Sequence, residues 1–163
     1  MAFRWTYLFY KRKNIKLTIM KKFIIAAITV ITLASTAFAA DNNDKATSLF
    51  KAAYPGATNV HYKTTGELVS ISFVSDSTRM QAFYNTSGEQ VAISREISTQ
   101  SLPLRAQRYI TEKFSDYTTK EVIEMDHSTE GTNYYVSLVN GNQKVIAQVS
   151  VGGEVSVFKK SGR

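Results

Sequence analysis

Residues 69–97 run VSISFV (69–74), SDST (75–78), RMQAFYN (79–85), TSGE (86–89) and QVAISREI (90–97). Apolar side chains recur at every second position: Val69, Ile71 and Phe73, then Val91, Ile93 and Ile97. A period of two predicts strands, because successive side chains point to opposite faces of a sheet. The polar turns Ser75-Asp76-Ser77-Thr78 and Thr86-Ser87-Gly88-Glu89 are short enough to make the neighbouring strands antiparallel. The same grammar returns at the C-terminal end: NYYVSLV (133–139), NGN, QKVIAQVSV (143–151), GGE and VSVFKK (155–160).

Between and before these meanders the period changes. Ala46, Leu49, Phe50, Ala53 and Tyr54 fall at helical spacing, with Asn43 or Asp44 as N-cap and Pro55-Gly56 as a firm stop. Leu102, Ala106, Tyr109, Ile110 and Phe114 form a second apolar stripe, with Ser101 as N-cap and Pro103 in the first turn. Strands are predicted at about 58–63 and 119–127, each opening a meander. The chain therefore reads as helix and four strands, twice, over about 44–98 and 101–160. Tyr54 and Phe114 close the two helices, Val60 and Val122 open the two strand sets, and Gly88-Glu89 and Gly153-Glu154 make the last turns. Recurrence in the same order predicts a duplication with small differences in loop length. The fold class expected is α+β, an antiparallel sheet with both helices packed on one face.

The first 39 residues read as an export signal. Met20-Lys21-Lys22 is a positive start, Phe23 to Leu33 is an apolar run, and Ala37-Phe38-Ala39 is the small-x-small pattern that precedes cleavage, here before Ala40. The run is shorter than the roughly 20 residues of a membrane span. Because a complete signal begins at Met20, residues 1–19 are expected to be a mis-assigned start or an extended n-region. This leader also explains the charge. Of 20 Lys and Arg residues, seven precede Ala40, leaving 13 against all 13 Asp and Glu residues, so the formal +7 falls to about zero. A basic protein invites a nucleic-acid partner; residues 40–163 do not. With no cysteine in the chain, neither a disulfide nor a thiolate metal site is available, and packing must hold the domain together.

A leader followed by helix, Tyr54-Pro55-Gly56-Ala57, Val60 and the Thr86-Ser87-Gly88-Glu89 turn, with Leu102-Pro103 opening a second helix, resembles the PepSY-like family of bacterial envelope proteins. That family is also described as beta-lactamase-inhibitor-like. The likeness covers residues 44–160 as a single domain of two repeats. The second unit departs from the pattern, with Phe114-Ser115-Asp116-Tyr117 where the first has Tyr-Pro-Gly-Ala. The resemblance implies helices on one face of an antiparallel sheet, a periplasmic or secreted location and a non-catalytic role, and it carries over no inhibitory residue.

Chemistry-bearing motifs are sparse. His61 and His127 lack third and fourth ligands at metal spacing, and alternation predicts that they point to different sides of the sheet. Glu124 and Asp126 share one strand face with Glu121 opposite, which reads as a solvated surface that blocks edge pairing. No serine stands in Gly-x-Ser-x-Gly or Ser-x-x-Lys, and Gly152-Gly153 precedes no helix that could cradle a phosphate. No catalytic residue, metal or cofactor is expected. Alternation does place Phe83, Tyr135, Ile146 and Phe158 opposite the helix-covered side. Exposed there, they would mark a contact surface for another envelope protein or for a second copy of the chain. A β-bulge would instead return some of them to the core.

Overall fold

The alternation of residues 69–97 becomes three consecutive strands of an eight-stranded sheet. The structure, a computed structural model, describes residues 43–162. The expected leader, its expected cleavage site and the two candidate starts lie outside these residues. The elements are α1 (Asn43–Ala53), β1 (Thr58–Thr65), β2 (Leu68–Ser75), β3 (Thr78–Asn85), β4 (Gln90–Glu96), a 3-10 turn (Thr99–Ser101), α2 (Leu104–Lys113), β5 (Thr118–His127), β6 (Gly131–Asn140), β7 (Gln143–Ser150) and β8 (Val155–Ser161). Strands pair in chain order, each antiparallel to the next. The α+β class and the antiparallel sheet agree with the sequence. The two halves form one sheet, joined where β4 pairs with β5 from Ala92↔His127 to Glu96↔Ile123.

Following the ladder pairs across the sheet puts both helices on the same face. Helix α1 sets Ala46 and Phe50 on Val69, Ile71, Phe73, Ala82 and Tyr84. Its end is fastened by Gln90, whose Oε1 accepts hydrogen bonds from the phenols of Tyr54 and Tyr84, each at 3.3 Å. Helix α2 sets Leu102, Ala106 and Ile110 on Val122, Val136, Leu138, Val145, Ala147 and Val149. Each fully buried Leu, Ile or Phe in these clusters contributes about 1.5–3 kcal/mol.

The helical stripes are narrower than their sequence implies. In α1, Leu49 is 45 % exposed and Ala53 is also exposed; in α2, Tyr109 is 42 % exposed. Both helices are short, of 11 and 10 residues, and only the central positions of each stripe reach the sheet. Ser101 is not the cap of α2. It ends the 3-10 turn, where Ser98 accepts from the Gln100 N–H, while Pro103 holds the N-cap position of α2 with no side-chain bond. Helix α1 already includes Asn43, and its N-cap lies outside the described residues.

Four irregularities interrupt the ladders; in β1 the register shifts between Thr58 and His61. Phe83 pairs with Ala92 and Tyr84 with Gln90, so Val91 is skipped. Lys120 is skipped in β5, and Phe158 in β8. A skipped residue bends its strand and re-aims the side chains that follow.

Candidate functional site

The two faces of the sheet differ sharply in what covers them. Among the described residues, no helix lies on the face opposite α1 and α2. Register assigns to that face Ser70 and Ser72 from β2, Gln81 and Phe83 from β3, and Ala92 and Ser94 from β4. It adds Ile123, Met125 and His127 from β5, Tyr135 and Ser137 from β6, and Ile146 and Gln148 from β7.

All four residues singled out in the sequence are on this face, but none is openly exposed as expected. Phe83 is 1 %, Tyr135 2 % and Ile146 5 % exposed, and Phe158 is half-buried. Alternation gives the direction of a side chain and not its neighbours. Here Tyr135 has Ile123 and Gln148 directly across on the adjoining strands. Its ring also meets Phe158 edge to face, with centroids 5.6 Å apart. The bulge at Phe158 did not return that ring to the helix side. Tyr135, Ile146 and Phe158 thus form one apolar group on β6–β8. Phe83 stands three strands away from Tyr135, about 14 Å at the usual strand spacing.

The sequence missed Gln81. It lies between Ser72 and Ser94 in the ladder and is 4 % exposed, and neither Nε2 nor Oε1 has a hydrogen-bond partner. The signal was present: Gln81 has the parity of Phe83, opposite to Met80 and Ala82, so it had to point to the same helix-free face.

A charged corner borders the face. Arg79 Nε donates to Glu96 Oε2 at 2.6 Å. Beside this pair, burial pushes the Glu121 carboxyl above its ordinary range, and the negative charge of Glu96 adds to the rise. Arg79 and Lys144 oppose it. Burial likewise raises the Tyr135 phenol, helped by the charge of Glu130. On the helix side, Glu124 and Asp126 occupy the gap between the two helices. Arg95 donates to Glu124 there, with Nη2–Oε1 at 2.8 Å. Ile123 and Met125 accordingly point to the helix-free face, which inverts the expected solvated orientation of that strand.

His61 pairs with Ser72 and His127 with Ala92. Both therefore lie on the helix-free face, not on different sides, with three strands between their own. His127 Nδ1 accepts from the Thr129 N–H at 3.3 Å. Among the described residues, no group of three or more His, Cys, Asp or Glu could hold a metal ion, and no helix is long and apolar enough to cross a membrane. A separate open cavity of about 530 Å³ lies by the β7–β8 turn. Arg105 and Tyr109 of α2 line it, with Asn133, Gln148, Ser150 and Glu154.

No family model matches the chain, and no curated protein matches it. Its fold is similar to solved structures from Bacteroides. A provisionally periplasmic protein of Bacteroides eggerthii aligns at TM-score 0.65 and 15 % identity, over 73 % of this chain and 87 % of that one. A BLIP-like protein of Bacteroides fragilis aligns at TM-score 0.59 and 18 % identity, over 75 % and 86 %. A DUF2874 family protein of Bacteroides uniformis aligns at TM-score 0.64 and 11 % identity, over 73 % and 88 %. These likenesses carry the beta-lactamase-inhibitor-like part of the resemblance at the level of fold; they do not carry its PepSY part.

Proposed function

We propose that the chain is a non-catalytic exported binding module that engages another envelope protein through the helix-free sheet face. The observation that carries this is the composition of that face. It holds large apolar groups, small hydroxyls and one unpartnered carboxamide, whereas the helix face is already occupied by α1 and α2. Large apolar groups gathered on one sheet face, with half-buried Phe158 and exposed Lys159 at its β8 edge, are the kind of surface partner proteins bury. The periplasmic and BLIP-like names belong to the neighbours; for this chain they support export, and inhibition of an envelope enzyme is one form such binding would take. The two-repeat origin and the PepSY-like assignment belong to the same proposal.

Site-specific photocrosslinking tests it. A photoreactive residue at exposed Lys159, across from Ile146 on the helix-free face, should trap a partner in the envelope. The same probe at exposed Lys51 on α1 should not. Equal trapping from both positions, or none from Lys159, would overturn the reading.

A second reading is favoured by the cavity beside Arg105 and Tyr109, whose donors suit a small anionic ligand. In this alternative the protein is a ligand-binding or self-associating envelope domain, with the sheet face buried in a homodimer. Light scattering after size exclusion separates the two, because a tight dimer at micromolar concentration belongs only to the second.

A further inference from the structure

Strand β8 closes the sheet on one side. It pairs with β7 and, among the described residues, with no strand beyond it. One long edge of its main chain therefore stands open, and an open edge is a template for a further strand. The ladder tells which groups face outward. The Ser150 N–H donates to the Glu154 carbonyl at 2.9 Å, which makes this a hydrogen-bonded position. In an antiparallel ladder such positions alternate with ones whose main-chain groups point away from the partner strand. Val155, opposite Val149, and Val157, opposite Ala147, are of the second kind. Their N–H and C=O groups point outward along the edge, until the skipped Phe158 breaks the alternation.

Side chains along this edge are within reach of a partner. Val157 is 58 % exposed, and Ser156, Lys159 and Lys160 are exposed. At the start of β8, Glu154, Val155 and Ser156 join Arg105 and Tyr109 of α2 in lining the open cavity of about 530 Å³. An incoming chain thus finds a recess beside the edge. The charges select the occupant. The strand and its turn carry Lys159 and Lys160 against Glu154. Arg105, which forms no ion pair among the described residues, adds a third cation. A second copy of the chain would bring the same positive excess to the same edge, whereas an acidic segment is attracted to it. We infer that β8 is the docking edge of the module, and that an extended acidic segment of the partner protein adds to it as a further strand. Its main chain bonds Val155 and Val157, an apolar residue covers Val157, and acidic residues meet Lys159 and Lys160 at one end and Arg105 at the other. Main-chain bonds then supply affinity, and the flanking side chains supply specificity. This inference rests on the binding-module reading above and names the docking element and the chemistry of its partner.

The test uses the full chain, isotopically labelled, and two blocked peptides: acetyl-Glu-Glu-Val-Thr-Val-Thr-Glu-amide, and the analogue with lysine in place of every glutamate. The Val155 and Val157 amides have no acceptor in the ladder and should exchange rapidly with deuterium in the free protein. The glutamate peptide at millimolar concentration should slow both several-fold, and the lysine peptide should leave them unchanged. Val157→Pro should abolish the effect in a folded protein, since an edge strand tolerates proline where the N–H faces solvent. The double variant Lys159→Glu, Lys160→Glu should bind the glutamate peptide several-fold more weakly, and it decides the matter if Val157→Pro does not fold. Equal slowing by both peptides would show contact without charge recognition and overturn the proposal. Exchange unchanged by either peptide, or already slow in the free protein, would overturn it too. Slowing on concentrating the protein without peptide would overturn it in favour of a second copy. A Lys159 photocrosslink that survives Val157→Pro rejects the docking edge and keeps the binding module; absence of the crosslink from the wild-type background rejects both together.

Discussion

The ring of Tyr135 on β6 stands edge to face with that of Phe158 on β8, centroids 5.6 Å apart at 77°, across the intervening strand β7. The contact exists because Phe158 is the skipped residue of β8, which frees its side chain from strict alternation. Such pairs are worth about 0.5–1.5 kcal/mol beyond the area they bury. A double-mutant cycle of Tyr135→Leu and Phe158→Leu in urea should return a coupling in that range. Strict additivity of the two single changes would show that the rings do not interact in solution.

Phe50 is the anchor of α1, within 4.9 Å of Phe73, 5.3 Å of Tyr54 and 6.3 Å of Tyr62, ring centre to ring centre. Phe50→Ala should cost about 3–5 kcal/mol. Leu49→Ala, one residue earlier on an exposed position, should stay within about 0.5 kcal/mol. Denaturation curves of the two variants check this contrast, which also tests the narrow apolar stripe of the helix.

How much of this was legible in the sequence differs from residue to residue. Val69, Ile71 and Phe73, and later Val145, Ala147 and Val149, alternate cleanly, and each set packs under its helix as expected. The direction of Phe83, Tyr135 and Ile146 was legible for the same reason. Their burial was not, because a strand pattern carries no information about which strands lie beside it. Glu124 and Asp126 failed for a related cause: they face the helix side, but at the gap between helices, where an ion pair with Arg95 is tolerated. Leu49 and Tyr109 show that helical spacing overstates the buried stripe when a short helix crosses a sheet. The direction of Gln81 was legible from its parity with Phe83, but its lack of hydrogen-bond partners was not, since a partnerless amide is defined only once its surroundings are known.

The recurring Gly-Glu turns are unequal. Gly153 adopts φ +79°, and a Cβ there would come within 3.1 Å of the Cβ atoms of both Pro103 and Arg105, at the start of α2. Gly88 adopts φ +77° but would meet only the flexible side chain of Lys45. Gly141, at φ +54°, faces open space. The left-handed conformation alone costs about 1–2 kcal/mol for a residue with a Cβ. Gly141→Ala should therefore show only that cost, Gly88→Ala slightly more, and Gly153→Ala the most, because backbone-anchored atoms cannot move aside. Thermal melts of the three variants give the order; a Gly153→Ala protein as stable as Gly141→Ala would contradict the close approach of turn and helix.

Glu121 should leave a pH signature. Its carboxyl is raised above the ordinary value chiefly by burial and secondarily by Glu96, against the pull of Arg79 and Lys144. A raised carboxyl binds protons more tightly in the folded state than in the unfolded one, so its ionisation opposes folding. Below the unfolded value, near 4.3, the group is protonated in both states and imposes no penalty. As pH climbs past that value the unfolded chain ionises first, stability is lost, and the loss becomes constant once the folded group has also ionised. Glu121→Gln removes this contribution. The variant should match wild type near pH 3.5 and gain on it progressively through the mildly acidic range, with a constant advantage at neutrality. Glu96→Gln should shrink that advantage, since it removes the second cause of the shift, while its own exposed bridge to Arg79 is worth only about 0–1 kcal/mol. Melting temperatures of wild type and the two single variants across pH 3.5–8, with the double variant as control, decide it. An advantage for Glu121→Gln that is largest at the acid end would reverse the sign and place the carboxylate in a favourable, not a penalised, setting.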